Sequence, residues 1–237
     1  MDYAEFWILE TAVTAGVPFS RVVGPPAAIQ AQWNKPYHNL TRSDMLNLLD
    51  GLARNGDIVA GSGETKFTPS RLQIDEWLVY DHPAKTCRWY YLTPQGGERW
   101  ARFSKANWDR YHSFEWDWHV EDLLEVAATT PEAAERVYRY VPVWNELHVL
   151  PETLNRSTLC PWAATYWKTL PVGYSVRFRC DYLEEMFKDL DDIPAYFFGN
   201  LSEAGMREAY TRVRREFEYF HHWYLQHPER PSARRSV

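Results

Sequence analysis

The sequence predicts a mixed α+β protein, and three observations carry that reading. Helical and strand-like stretches alternate through the first half, several opened by a clear helix cap. Two stretches of the second half, residues 114–120 and 175–180, alternate apolar and polar side chains with the period of two that belongs to strands. A third pattern, with apolar residues at helical spacing, runs from 202 to 226. With 237 residues, 45% hydrophobic and 24% charged, the chain is long enough for one large core or two small ones. That composition excludes a disordered tail, a collagen and a disulfide scaffold.

Residues 2–14 place Tyr3, Phe6, Trp7, Leu9 and Val13 on a helix. Pro25-Pro26 precedes a short helical stretch from Ala27 to Trp33. The clearest helix opens at Thr41, a good N-cap, with Asp44 three residues later to complete a capping box. Met45, Leu48, Leu49 and Leu52 follow at helical spacing, and Asn55-Gly56 supplies the left-handed turn that ends it. Asp57 to Ala60 reads as a short strand. Thr68-Pro69 is a cap followed by proline at the first helical position, predicting a helix from Ser70 to Val79. Arg88 to Leu92 is aromatic and reads as a strand. Thr93-Pro94 repeats the cap-plus-proline signal and starts a helix through Trp100, Phe103 and Tyr111.

The order helix, helix, helix, strand, insert, strand, helix is that of a winged helix-turn-helix. Leu48-Leu49-Asp50-Gly51-Leu52-Ala53-Arg54-Asn55-Gly56-Asp57-Ile58 resembles the passage from recognition helix to wing in bacterial PadR- and MarR-like proteins. Tyr90-Tyr91-Leu92-Thr93-Pro94-Gln95-Gly96 is similar to the stretch that closes their wing. The resemblance covers roughly residues 40–105. It implies an N-terminal winged helix over 1–110; the insert at the wing, residues 61–87, departs from the family pattern, being long for a wing and reading as helical. The resemblance also implies a dimeric, DNA-binding transcriptional regulator as one reading of function.

Charge weighs against that reading. The chain carries a formal net charge of −6, so a globally basic nucleic-acid binder is disfavoured. The charge is unevenly shared: residues 1–114 are neutral, and 115–237 hold the whole excess of acid. In helix 41–54, Arg42 and Arg54 stand against Asp44 and Asp50. Phosphate contact drives nucleic-acid affinity and takes several cations per site. A clustered basic face for DNA or a partner would have to use Lys35, Arg42, Arg54, Lys66 and Arg71. The expected function is therefore non-catalytic macromolecular contact. Binding, or inhibition, of a protein partner is expected, with DNA binding as the alternative.

The second half, 111–237, predicts a small acidic α+β domain. Phe114 to Val120 puts Glu115, Asp117 and His119 on one strand face, and Ser175 to Cys180 puts Arg177 and Arg179 on another. These strands are expected in one sheet, acids facing arginines. Between them, Leu123 to Thr129 is strand-like and Thr130-Pro131 opens a helix to Tyr140. Glu146 to Leu150 alternates weakly, and Pro161 to Leu170, with Trp162, Tyr166 and Trp167, reads as an aromatic helix. The last helix repeats Met206, Tyr210, Val213, Phe217, Phe220 and Tyr224 at spacings of four and three. That stripe either packs on its own domain or forms a homodimer helix. The tail after Pro228, with Arg230, Arg234 and Arg235, is expected to be disordered.

No catalytic constellation is found. There is no Gly-x-Ser-x-Gly, no phosphate loop and no His-Glu-x-x-His. The best metal-like group is His112, Glu115, Asp117 and His119; a solvated or arginine-paired strand face accounts for it better. No cofactor is expected. Cys87, Cys160 and Cys180 are sparse and unpaired in spacing, as buried thiols of a reducing compartment would be. The start Met1-Asp2-Tyr3-Ala4-Glu5-Phe6 lacks the basic residues of a signal peptide, and the apolar runs are far short of a membrane span. A cytoplasmic protein is expected. The acidic runs Glu184-Glu185 and Asp189-Asp191-Asp192 are the candidate surface for a basic partner.

Overall fold

The computed structural model describes residues 1–33, 35–62, 65–79, 88–117, 122–145, 147–182 and 202–225. The protein is α+β, with antiparallel sheets and helices distributed over two compact units. One unit is Met1–Lys105 together with Thr165–Lys168. The other takes in Ala106–Ala164 and Thr169–Leu225. The division at Lys105 lies near the expected boundary at 110, but a four-residue segment of the second half belongs with the first unit.

In the first unit, α1 (Tyr3–Thr11) is capped by Asp2 in a box with Glu5. A two-residue strand β1 (Val17–Pro18) and a 3-10 turn (Phe19–Val23) lead to α2 (Pro26–Trp33) and α3 (Arg42–Arg54). Thr41 and Asp44 form the expected capping box on α3. Gly56, at φ +75°, makes the left-handed exit. Then come β2 (Ile58–Ser62), β3 (Thr65–Phe67), α4 (Arg71–Trp77), β4 (Trp89–Leu92) and α5 (Pro94–Ser104). The sheet order is β1-β4-β2-β3. Val17 faces Tyr90, Tyr90 faces Ala60, and Ala60 faces Phe67. Gly96 is required at the start of α5: a Cβ there would lie 2.0 Å from the Asp57 carbonyl oxygen.

Two readings of this unit are corrected. The cap of α4 is Ser70, boxed with Gln73, rather than Thr68; the reciprocal hydrogen bonds of the box outweigh the cap-plus-proline signal. Helix α5 stops at Ser104, where Lys105 turns left-handed at φ +54°, so Tyr111 is not on it. Strand β3 was not expected. Its three residues are too few to show a period, and only pairing with β2 defines them.

The core of this unit is strongly aromatic: Phe6, Trp7, Phe19, Tyr90 and Trp100 are almost wholly buried. Thr165–Lys168 completes it. The Trp167 ring sits where a Cβ on Gly97 would be, meets Trp100 edge-on at 6.3 Å, and donates its indole N–H to the Val13 carbonyl at 2.9 Å. The Tyr166 hydroxyl donates to the Ala12 carbonyl at 2.5 Å and accepts from the Leu92 amide at 2.7 Å. Trp89 of the same sheet is exposed.

The second unit holds β5 (His112–Asp117), β6 (Leu123–Ala128), α6 (Pro131–Trp144), β7 (Leu147–Leu159), β8 (Trp162–Ala163), β9 (Thr169–Leu170), β10 (Gly173–Tyr182) and α7 (Glu203–His221). Its main sheet runs β5-β6-β10-β7, every pair antiparallel. One face is covered by the helices. Leu124, Val126 and Ala128 of β6 and Val176, Phe178 and Cys180 of β10 pack with Val137 and Tyr140 of α6 and Phe220 of α7. Thr130 caps α6 as expected, accepting from the Ala133 amide.

The expected helix over 161–170 is absent. β8 and β9 pair with each other instead, Trp162 opposite Leu170. The aromatic spacing imitates a helix, but the rings serve distant partners: Trp162 covers Gly173 and Trp167 covers Gly97. Strand β7 is much longer than its weak alternation suggested. Leu150 pairs with Arg179 and Asn155 with Arg177, so residues 151–154 form a bulge opposite Phe178. Thr153 closes the bulge by accepting from the Arg179 amide at 2.9 Å. The two alternating strands do share a sheet, but β6 lies between them. Arg177 therefore pairs with Glu125 of β6 at 2.8 Å, not with Glu115.

Candidate functional site

Among the described residues no group of three or more His, Cys, Asp or Glu side chains is placed to hold a metal ion. His112 belongs to the helix-covered face of β5, in register with Ala128, whereas Glu115 is on the opposite face. The Asp117 side chain and His119 lie outside the described part. The Ser157 and Ser175 hydroxyls are 2.8 Å apart in a cross-strand pair. Cys180 is buried, and burial pushes its thiol up to about 12, an inert state. Cys160 is exposed, contrary to expectation, and Cys87 lies outside the described residues. Among the described residues no helix is long and apolar enough to cross a membrane.

The five candidate contact cations divide sharply. Lys35 is not a surface residue at all. It is buried, 3.0 Å from the Glu10 carboxylate, donates to the Trp7 carbonyl at 2.9 Å and stands 4.1 Å over the Trp7 ring. Burial lowers its pKa to about 8 against the opposing pull of Glu10. Arg42 is spent on α4: it pairs with Asp75 and donates to the Asp75 and Leu78 carbonyls. Arg54 and Arg71 converge on Asp50 of α3, at 2.7 and 3.5 Å, and Arg71 also donates to Asn47 at 2.7 Å. Lys66, on β3, lies over the rings of Tyr91 and Tyr166 at 4.8 and 5.2 Å. The candidates on α3 and α4 are thus matched by acids on the same two helices.

The same region carries large apolar side chains in the open. Leu72 of α4 is 78% exposed, Val79 50%, Trp89 of β4 40% and Phe67 of β3 36%. Phe67 leans edge-on toward Trp77, with centroids 6.3 Å apart. Sequence reading passed over these four as contact residues. Leu72 had a usable signal: Ile74, Trp77 and Leu78 make the buried stripe of α4, and Leu72 is out of phase with it.

In the second unit, Phe220 of the C-terminal stripe is buried, and Val213 and Phe217 pack against the same core. Tyr210 is exposed, Met206 half-buried, and Tyr224 lies past the end of α7. The candidate acidic surface, Glu184, Glu185, Asp189, Asp191 and Asp192, lies outside the described residues, as does the tail after Pro228. No family model matches the chain, and comparisons with curated proteins and with solved structures return no match.

Proposed function

We propose that this is a non-catalytic binding protein whose first unit is a winged helix that meets a protein partner rather than DNA. Three helices followed by a hairpin, with a sheet ordered β1-β4-β2, support the winged-helix part. The observation that carries the choice of partner is the neutralisation of α3 and α4. Asp50 and Asp75 occupy Arg42, Arg54 and Arg71, and Lys35 is buried. Phosphate binding releases counterions only where cations are available, and a few matched pairs give little. Exposed Leu72, Phe67 and Trp89 offer apolar anchors of the kind that hold protein interfaces.

Fluorescence anisotropy with duplex DNA at low and physiological salt tests the choice. The expected result is weak, sequence-independent binding that vanishes at physiological salt. A sequence-specific complex that survives there, and that weakens with Arg54→Ala, overturns the proposal. A photo-crosslinking residue at Leu72 is expected to give one discrete protein adduct in cells, lost when Trp89→Asp is added.

A further inference from the structure

His112 stands where three elements of the second unit meet. Its ring lies edge-on to Phe220 of α7 at 5.4 Å and to Tyr140 of α6 at 6.0 Å. Tyr140 and Phe220 stack on each other at 5.8 Å. The imidazole Nε2 is 2.9 Å from the Tyr140 hydroxyl, while Nδ1 is buried without a hydrogen-bond partner. A neutral imidazole tolerates this, because one nitrogen carries no proton and needs no acceptor. The imidazolium does not. It would place a second N–H against nothing and a full charge among aromatic rings.

The surrounding charges give no relief. From α6, Arg136 lies over the Tyr219 and Phe220 rings at 4.4 and 5.1 Å and pairs with Glu216 of α7 at 2.8 Å. From the 3-10 turn Trp108–Arg110, Arg110 stands over Tyr219 at 4.5 Å. From α7, His221 adds a repulsive neighbour. The carboxylate of this group, Glu216, is already engaged by Arg136. Burial first, and His221 second, push the pKa of His112 down to about 4.

We propose that His112 is an acid-operated latch: protonation of its ring releases α7 from the sheet and from α6, uncovering the apolar stripe Val213, Phe217 and Phe220. The sign follows from linkage. Released, His112 regains the ordinary imidazole value near 6.5. Between about 6.5 and about 4 the released state binds the proton and the docked state does not. The docked state is therefore favoured in full above that window and loses ground as pH falls through it. The loss is about tenfold per pH unit, about a hundredfold by pH 4.5.

Native-state hydrogen exchange on the full chain at pH 7, 5.5 and 4.5, expressed as protection factors, tests the latch. Amides of residues 210–221 are expected to lose protection about a hundredfold across this range, while those of Val126, Val176 and Phe178 in β6 and β10 keep theirs. His112→Gln retains a donor for Tyr140 but cannot titrate, and should hold α7 protection flat. His112→Phe is a second non-titrating variant if the glutamine form fails to fold. His221→Gln should respond as the wild type does. The proposal falls on any of three results. The pH response of α7 persists in the non-titrating His112 variants, or α7 and β10 lose protection together, or His221→Gln abolishes the response.

Discussion

In the first unit, Lys35, Asp50 and Asp57 are charged groups with little exposed surface, and each has an opposite charge set against it. Glu10 meets Lys35, Arg54 and Arg71 meet Asp50, and Arg99 bridges Asp57 and Glu5. In the second unit the ion pairs lie toward the surface, as in Arg177–Glu125 and Arg214–Glu218, and the half-buried His112, with its Nδ1 enclosed, is held neutral. The two units have met the same problem in two ways. A buried charge is tolerable with a partner, and a buried base is tolerable without its proton. The first arrangement fails when one partner is removed. The second fails when the proton returns.

The largest expected effect tests the first arrangement. Lys35→Met removes the ammonium set 3.0 Å from the enclosed Glu10 carboxylate, and should cost about 4 kcal/mol in urea unfolding at neutral pH. Lys35→Met with Glu10→Leu replaces the pair by apolar groups and should return to within about 1 kcal/mol of wild type. If the double variant is as unstable as the single, the paired charges themselves hold the fold. The pH dependence has a definite sign. Folded Lys35 titrates near 8 and the unfolded lysine near its ordinary 10.5, so the unfolded chain holds more protons between them. Wild-type stability should therefore rise relative to Lys35→Met as pH climbs from about 8 to about 10.5.

Next in size is Trp167→Ala, expected to cost about 3 kcal/mol through loss of a buried indole and its hydrogen bond to Val13. This residue also shows where sequence reading stopped. Thr41, Thr93 and Thr130 announced their helices because a cap is a local event, settled within four residues. Alternation likewise disclosed β5 and β10. Trp167 takes its meaning from Gly97 and Val13, far away in the chain, and its local spacing pointed to a helix that does not form. The same limit hid the state of the cations. Nothing near Lys35 in sequence predicts Glu10 beside it, and nothing near Arg71 predicts Asp50. Asp75 of α4 likewise reaches back to Arg42 of α3 across a gap of 33 residues. Charge counting gave α3 a net of zero, but only the fold turns that sum into individual pairs. The exposed apolar group fell between these cases: Leu72 was visible as an out-of-phase leucine, whereas the exposure of Trp89 depends on what covers β4.

A smaller effect compares caps in the two units. Thr93 accepts from the Gly96 amide at 3.1 Å and also donates to the Gly56 carbonyl at 2.5 Å, tying α5 to the turn after α3. Thr130 accepts from the Ala133 amide at 3.1 Å. Thr93→Ala is expected to cost about 1.5 kcal/mol and Thr130→Ala about 1 kcal/mol by thermal unfolding. Equal losses would mean that the link to Gly56 adds nothing to the cap.

The smallest effect concerns a place where the second unit did not match its charges. Glu115 of β5 stands directly opposite Glu125 of β6, and Glu125 opposite Arg177 of β10. One row across three strands therefore reads acid, acid, base, with Arg177 held to Glu125 at 2.8 Å. Like charges facing each other across strands are destabilising by a few tenths of a kcal/mol. Glu115→Lys converts the row to base, acid, base and should stabilise the protein by about 0.5 kcal/mol. Because the row is exposed, molar salt should erase most of that gain. A loss of stability instead would mean that Glu115 meets a positive group, and that its charge is matched after all, as Asp50 and Glu10 are in the first unit.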